Sequence, residues 1–148
     1  MFNVVLVEPE IPPNTGNVGR LCLATGSTLH LVEPLGFSID HRHLKRAGLD
    51  YWEEVNLRTW PGLEALQAAN SAARFFYATT KSSRPYFEMK FEAGDFFVFG
   101  RETKGLPEAL LDQHKESCLT IPMQGTRSLN LATAVAIILF EAMRQLRC

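Results

Sequence analysis

The segment SLNLATAVAIILF, residues 128–140, restricts the fold of this chain more than any other part of the sequence. From residue 131 to residue 143 the only polar side chains are Thr133 and Glu141. A helix on the surface of a globular protein keeps a polar face, whereas a helix that is apolar all round is buried. The continuous apolar run of residues 134–140 is much shorter than the ~20 residues of a membrane span. We therefore expect a helix in a soluble protein, with neighbours on every side.

The composition is that of an ordinary globular domain. The chain has 148 residues, of which 46% are apolar and 21% are charged, so we expect a single domain over residues 1–148. The formal net charge of -1 gives no sign of a nucleic-acid partner, and an RNA-binding function would have to rest on local basic patches. The cysteines do not form a CxxC pair or an even-numbered disulfide framework, and they are Cys22, Cys118 and Cys148. Because the N-terminus also lacks a signal-peptide pattern, we expect a cytoplasmic protein with reduced cysteines.

Short apolar runs alternate with segments of helical pattern along the chain. Strands are predicted at residues 3–7, 28–33, 54–57, 74–79, 95–99 and 117–121. Helices are predicted at residues 18–25, 40–48, 61–70, 107–113 and 130–146. The first helix would have its polar N-cap in residues 14–17 and end at Gly26. This alternation predicts an α/β fold in which a mostly parallel sheet is flanked by helices.

Three loops that follow predicted strands are rich in small and polar residues. They are PNTGNVGR at residues 13–20, GRETKGLP at residues 100–107 and PMQGTRSLN at residues 122–130. Ligands of open α/β sheets bind outside the carboxyl ends of the strands, where these loops would meet. The first loop could orient a polar ligand. The other two, with TKSS at residues 80–83, could line one pocket with backbone groups, which would suit a neutral heteroaromatic ligand such as adenine. The residues alone leave open that the glycines only form turns and that the asparagines only cap helices.

Other kinds of site have little support in the sequence. The dinucleotide pattern GxGxxG is absent from the first loop, and neither GxxxxGK[ST] nor GxSxG occurs. The histidines are scattered, at positions 30, 41, 43 and 114. We therefore predict no metal site.

The three loops, in this order, resemble the three motifs of the SPOUT superfamily of RNA methyltransferases. The segments EPEIPPNTGN and KRAGLDY match as well, so the resemblance covers essentially the whole chain. It is strongest to the minimal branch, which has no appended RNA-binding domain. The resemblance implies a deep C-terminal trefoil knot, in which the last strand, loop and helix thread through a loop near Gly100. It also implies S-adenosylmethionine as methyl donor and S-adenosylhomocysteine as product, surrounded by Ala78, Thr79, Gly100, Glu102, Gly105, Ile121, Met123, Ser128, Leu129 and Asn130.

The reaction that the resemblance implies is methylation of the ribose 2′-hydroxyl of the tRNA wobble nucleotide, C34 or U34, with leucine tRNA as the expected substrate. Arg20 occupies the position of the family's essential arginine, and Asn14, Asn17 and Asn130 would orient Arg20 and the ribose. A guanidinium keeps its proton at ordinary pH and has no acceptor. We therefore expect Arg20 to hold a phosphate or the ribose, while a phosphate oxygen or a water molecule takes the proton.

Contacts to the tRNA anticodon arm are expected from a few basic residues. They are Arg127, beside the cofactor loop, and Arg42, Lys45 and Arg46 in the stretch DHRHLKRAG. For that stretch a solvated basic helix is the alternative. Two other functions also stay open, namely methylation of another RNA ribose and binding of a nucleotide or RNA without catalysis.

The resemblance further implies a homodimer through the first and last helices. Such a dimer would give the apolar last helix its second set of neighbours, so a polar substitution at Ile137 or Ile138 should weaken it. Related proteins often have tyrosine at the position of Phe140. Any contact of that hydroxyl with tRNA or with the partner subunit is therefore missing here.

Overall fold

A six-stranded sheet forms the centre of residues 1–37 and 51–147, the part of the chain that the computed structural model describes. The strands are β1 (Asn3–Val7), β2 (Thr28–Val32), β3 (Leu57–Trp60), β4 (Phe75–Ala78), β5 (Phe96–Phe99) and β6 (Cys118–Leu119). The helices are α1 (Pro12–Thr25), α2 (Leu63–Ala69), α3 (Glu108–Gln113) and α4 (Leu131–Arg147). The strand order is β3-β2-β1-β5-β4-β6, and all neighbouring pairs are parallel. This confirms the predicted α/β fold with a mostly parallel sheet.

Each face of the sheet carries its own apolar core, because successive side chains of a strand point to opposite faces. Val4 and Leu6 of β1 belong to the core that α1 and α4 cover. Val5 and Val7 belong to the core that α2 and α3 cover. The strands are therefore apolar on both faces, as is usual for parallel sheets.

Helix α1 begins at Pro12 rather than at Val18, so the predicted start of this helix was wrong. Prolines fill its first two positions, where their missing N–H removes no helical hydrogen bond. The N-cap is Ile11, whose side chain makes no capping bond. The predicted N-cap residues 14–17 lie inside the helix, whereas its end at Gly26, in the left-handed conformation, is as predicted.

The third strand also differs from the prediction. It begins at Leu57 instead of residue 54, because Trp52–Glu54 forms a 3-10 turn that buries Trp52. The predicted basic helix at residues 40–48 lies outside the described residues. The other predicted elements differ from the observed ones by one or two residues at their ends.

The described part of this chain covers only one side of helix α4. Val135, Ile138 and Leu139 are almost fully buried, whereas Phe140 is 48% exposed. The chain's own core thus covers one side of α4, as expected, and Phe140 on the other side stays half exposed. Cover of that side by a second subunit stays a prediction. Neither α4 nor any other helix in residues 1–37 and 51–147 is long and apolar enough to cross a membrane.

Strand β6 has hydrogen-bonded neighbours on both sides, and both belong to one continuous segment. On one side it pairs with β4, and the amide of Thr79 donates to the carbonyl of Leu119 at 3.0 Å. On the other side the amide of Thr120 donates to the carbonyl of Arg84, and the amide of Tyr86 donates to the carbonyl of Thr120, both at 2.8 Å. The chain before β6 lies on the α3 face of the sheet, and the chain after it forms α4 on the opposite face.

His30 is the buried ionisable side chain of β2, and two side chains fix its ring. Trp60 donates its indole N–H to Nδ1 at 3.0 Å, so Nε2 carries the proton and donates to the side-chain oxygen of Asn3 at 2.9 Å. Burial, together with the positive charge of Arg58, lowers the pKa of His30 to about 4. A second proton could enter only at Nδ1, where it would break the bond from Trp60.

This arrangement predicts a pH dependence of stability. The folded-state pKa of His30 lies below the ordinary value of about 6.5, so the unfolded chain binds a proton that the folded chain does not. The free energy of unfolding should fall as the pH drops below 6.5 towards 4. In urea titrations between pH 7 and pH 5, His30→Gln should flatten this decrease. An equal slope in the wild type and in His30→Gln would contradict the assignment.

Candidate functional site

A cavity of about 540 Å³ opens at the carboxyl ends of β4, β5 and β6. This is the position that the general rule for parallel α/β sheets predicts for a ligand. Every residue predicted to surround the cofactor lines it, namely Ala78, Thr79, Gly100, Glu102, Gly105, Ile121, Met123, Ser128, Leu129 and Asn130. Asn14 and Arg127 line it too. The structure therefore brings the three predicted loops together around one cavity.

The walls of the cavity combine apolar side chains with loop backbone. The apolar side chains are those of Ile11, Phe99, Leu106, Leu119, Leu131, Ala134 and Ile138. A flat heteroaromatic ring fits between such walls, and backbone N–H and C=O groups can read its edge. The residues present therefore fit an adenine-containing cofactor.

Two glycines make the tight turn on which one wall is built. A Cβ atom at Gly100 would lie 2.1 Å from the carbonyl carbon of Gly105 and 2.3 Å from the nitrogen of Leu106. Gly105 has φ +67°, and its amide donates to the carbonyl of Arg101 at 2.8 Å. No side chain fits at Gly100, and the φ of Gly105 favours glycine.

The carboxylate of Glu102 caps α1 from the loop after β5. It accepts the amide of Glu10 at 2.9 Å and the amide of Ile11 at 2.8 Å. It also accepts the side-chain amide of Asn14 at 3.3 Å. Amides at the start of a helix have no partner within the helix, and the helix dipole favours a negative charge there. Glu102 is thus hydrogen-bonded to protein groups and fixes the start of α1 beside the cavity.

The same two loops are joined by two further carboxylates. Glu10 accepts the hydroxyl of Thr103 at 2.8 Å and its amide at 3.2 Å, and these bonds lower the pKa of Glu10. Arg101 pairs with Glu8 at 2.7 Å, and Glu8 has the left-handed φ of +52°. Carboxylates of the segment before α1 therefore bond to the loop after β5, and the carboxylate of Glu102 in that loop bonds to the segment before α1.

Asn130 connects the start of α4 to the start of α1. Its side-chain oxygen accepts the amides of Ala132 at 2.9 Å and Thr133 at 3.3 Å, so it is the N-cap of α4. Its side-chain nitrogen donates to the side-chain oxygen of Asn14 at 2.9 Å. Since Asn14 donates in turn to Glu102, one chain of hydrogen bonds links all three loops of the cavity.

Arg20 and Asn17 lie apart from this chain of hydrogen bonds. Both are exposed on α1, and neither lines the cavity. The guanidinium of Arg20 lies over the ring of Tyr51, 5.5 Å from its centroid. Asn14 and Asn130 bond to each other and to the loop after β5, whereas the contact of Arg20 is with Tyr51.

Some of the predicted RNA-binding residues lie in the described part of the chain, and the others lie outside it. Arg127 lies on the exposed rim of the cavity, whereas Arg42, Lys45 and Arg46 fall outside residues 1–37 and 51–147. Lys81 and Lys104 also line the cavity, and they were not among the site residues predicted from the sequence. Their positions just after β4 and β5 are the signal that could have identified them.

In residues 1–37 and 51–147, no group of three or more His, Cys, Asp or Glu side chains could hold a metal ion. The polar groups of the described cavity are backbone, hydroxyl, amide and single charged groups.

The fold and the cavity define an α/β protein whose strand ends form a cavity that fits a heteroaromatic ligand. Comparison with known proteins identifies its family. The chain belongs to the SpoU rRNA Methylase family, whose model matches residues 1–140. A protein of Burkholderia pseudomallei (strain 1106a) named tRNA (cytidine(34)-2'-O)-methyltransferase is 54% identical over 149 residues, 98% of this chain and 96% of that protein. These matches confirm the family resemblance of the three loops.

Two solved structures extend the comparison. One, described as structural insights into the 2-OH methylation of C/U34 on tRNA, is 46% identical with a TM-score of 0.93, covering 99% of this chain and 97% of that chain. The other is an AdoMet-bound rRNA methyltransferase from Sinorhizobium meliloti, 25% identical with a TM-score of 0.85, covering 98% of this chain and 56% of that chain. The fold is therefore that of the SpoU methyltransferases.

The tight turn predicts a strong effect of Gly100→Ala. Because the new methyl group would overlap the backbone of residues 105–106, the turn has to shift, with an expected loss of about 1–3 kcal/mol of stability. Affinity for S-adenosylmethionine, measured by calorimetry, should fall about tenfold or more, a change of ~1.4 kcal/mol or more.

Gly62→Ala is the matched control, because a Cβ there meets nothing within 4 Å. It should leave affinity unchanged and cost less than about 1 kcal/mol of stability. Equal effects of the two substitutions on affinity would show that the turn at Gly100 does not shape the binding cavity.

Proposed function

We propose that this protein transfers a methyl group from S-adenosylmethionine to the ribose 2′-hydroxyl of the tRNA wobble nucleotide, C34 or U34. The observation that carries the proposal is the cavity at the ends of β4, β5 and β6, built by the three family loops. The substrate is supported by the name of the relative from Burkholderia pseudomallei and by the related structure concerned with C/U34 of tRNA. Leucine tRNA is the species we propose.

S-adenosylmethionine would lie in the cavity, with its adenine between the apolar walls and against the loop backbone. When bound, it supplies a methyl group that is attached to a positively charged sulfur. Once the methyl group is transferred, that sulfur is the neutral thioether of S-adenosylhomocysteine. Ser128, Thr79 and the backbone at Gly100 and Met123 are among the polar groups that line its site. Glu102 is hydrogen-bonded to α1, so its role is to hold the loops around the cofactor.

Arg20 is proposed to hold a phosphate or the ribose of the target nucleotide. Its guanidinium has donors but no acceptor, so it can orient the nucleotide but does not take the proton. The proton of the 2′-hydroxyl would pass to a phosphate oxygen or to water as the new C–O bond forms. Asn14 and Asn130, whose amides face each other at 2.9 Å, would keep the ribose side of the cavity in place. Asn17, exposed on the same helix, is proposed to contact the nucleotide beside Arg20.

The anticodon arm would bind to basic groups around the cavity mouth. Arg127 lines the cavity and is proposed to make such a contact, and Arg42, Lys45 and Arg46 are proposed to extend the surface. Phosphate contacts of this kind make RNA affinity fall as salt concentration rises. An affinity for tRNA that does not change between low and high salt would exclude this surface.

The protein is proposed to act as a homodimer through α1 and α4, in the cytoplasm and without a metal ion. The two helices pack side by side on the same face of the sheet. Phe140 on α4 is 48% exposed, so a large apolar side chain remains for contact with a second copy. Ile138 is 1% exposed inside the protomer and also lines the cavity, so it belongs to the cofactor site and not to the dimer surface.

The C-terminal part of the domain is proposed to form a trefoil knot. Support comes from β6, which lies between β4 and residues 84–86 of one continuous segment, with α3 before it on one face of the sheet and α4 after it on the other. Such neighbours on both sides are what threading of the chain through a loop would produce. A crystal structure in which residues 84–86 do not flank β6 would exclude this arrangement.

Labelled S-adenosylmethionine and unmodified tRNA test the activity. Label should appear on the 2′-oxygen of nucleotide 34. Label on another ribose would keep the enzyme but change its substrate, and cofactor binding without transfer to any RNA would leave only a binding protein.

Arg20→Ala should reduce transfer to near background while S-adenosylmethionine affinity changes by no more than about threefold, since Arg20 does not line the cavity. Arg58→Ala, at an exposed arginine of β3, is the matched control and should keep full activity. Equal loss of transfer and cofactor affinity in Arg20→Ala would show that Arg20 belongs to the cofactor site.

Phe140→Asp should convert the dimer into a monomer, because it places a charge in the apolar surface of α4. Sedimentation velocity measures the change, and Ala68→Asp on the exposed side of α2 is the control. A wild-type protein that sediments as a monomer at high concentration would overturn the dimer.

A further inference from the structure

Tyr51 lies against the side chain of Arg20 on the surface of α1. The guanidinium carbon of Arg20 is 5.5 Å from the ring centroid, within the ~6 Å range of a cation–π contact. Arg20 is exposed, and a long side chain on an exposed helix face occupies many rotamers unless a neighbour restricts it. The aromatic ring is the neighbour that provides this restriction.

The ring of Tyr51 is itself held in place by α1. Its hydroxyl donates to the carbonyl of Gly16 at 2.7 Å. In an α-helix that carbonyl also accepts the amide of the residue four positions later, which is Arg20. Burial raises the pKa of Tyr51, so the hydroxyl keeps the proton that it donates.

The residue after Tyr51 fixes the same segment a second time. Trp52 is only 7% exposed, and it packs where Gly19 has no side chain. A Cβ atom at Gly19 would lie 2.7 Å from Cζ3 of Trp52. Gly16, Gly19 and Arg20 are spaced i, i+3 and i+4, so they share one face of α1. Tyr51 and Trp52 therefore dock on the face that presents Arg20.

We propose that Tyr51 is a positioning residue, which holds the guanidinium of Arg20 in the orientation that binds the target nucleotide. This inference rests on the proposed function, in which Arg20 contacts a phosphate or the ribose. Stacking uses the flat face of a guanidinium and leaves the N–H groups on its edge free. Those N–H groups are the ones that a phosphate or ribose oxygen accepts. Tyr51 does not line the cofactor cavity, so its effect should reach the reaction through Arg20 alone.

Kinetics of the full-length protein with tRNA test this role. Tyr51→Leu should lower kcat about tenfold, because small misplacements of a positioned group are costly. The KM for S-adenosylmethionine should not change. Tyr51→Phe keeps the ring and should recover most of the activity. Phe75→Leu, which removes a ring from the opposite face of the sheet, should leave kcat unchanged.

A double-mutant cycle with Arg20→Lys tests whether the two residues act together. If Tyr51 acts through Arg20, the double variant Arg20→Lys/Tyr51→Leu should be little worse than Arg20→Lys alone. Losses that multiply in the double variant would overturn the proposal. An unchanged kcat in the Tyr51→Leu variant would overturn the proposal as well.

An NMR measurement tests the contact without any reaction. The ring current of Tyr51 should shift the side-chain Hδ and Nε–H resonances of Arg20, and the shift should disappear in Tyr51→Leu but persist in Tyr51→Phe. Identical Arg20 resonances in all three proteins would exclude the contact. If the wild type methylates no RNA, the proposed function fails, whereas this measurement still decides whether Tyr51 holds Arg20. A thermal melt of each variant shows whether it is folded.

Discussion

The carboxylate of Glu102 is the group on which the arrangement of the cavity depends. It comes from the loop after β5, yet it satisfies the amides of Glu10 and Ile11 at the start of α1, where two prolines leave no helical donor. Through Asn14 it is also connected to Asn130, the N-cap of α4. The starts of both long helices are thereby fixed by one continuous chain of hydrogen bonds beside the cavity. Loops that would otherwise be independent therefore keep a common geometry.

Helix α4 has one side that is covered by its own chain and one side that is exposed. Ile138 and Ala134 face the cavity, and Val135 and Leu139 fill the core against the sheet. On the other side Phe140 is 48% exposed among residues 1–37 and 51–147. An apolar helix that is half covered by its own chain matches the proposed dimer, in which a second copy would bury the other half.

Much of the fold could be predicted, because its signals are local. The apolar runs, the glycine at the end of α1 and the strand-end loops each depend on neighbouring residues, and they placed the sheet and the cavity correctly. The start of α1 was missed, because its cap is a carboxylate that is distant in the sequence. The contact between Arg20 and Tyr51 was missed for the same reason. No pattern within either segment indicates which distant side chain will reach it.

The sequence by itself determined the order of strands and helices along the chain, the family, and the residue types that line the cavity, since these follow from periodicity and from motifs of a few residues. Only the tertiary structure decided which groups those residues bond. Glu102 follows a strand end in the sequence, but in the folded chain its oxygens are occupied by the amides of α1. Likewise, Ile137 and Ile138 are equivalent in the sequence, yet only Ile138 is buried in the protomer. The physical reason is that hydrogen bonds and burial depend on distances in space, and those are set when the sheet brings distant segments together.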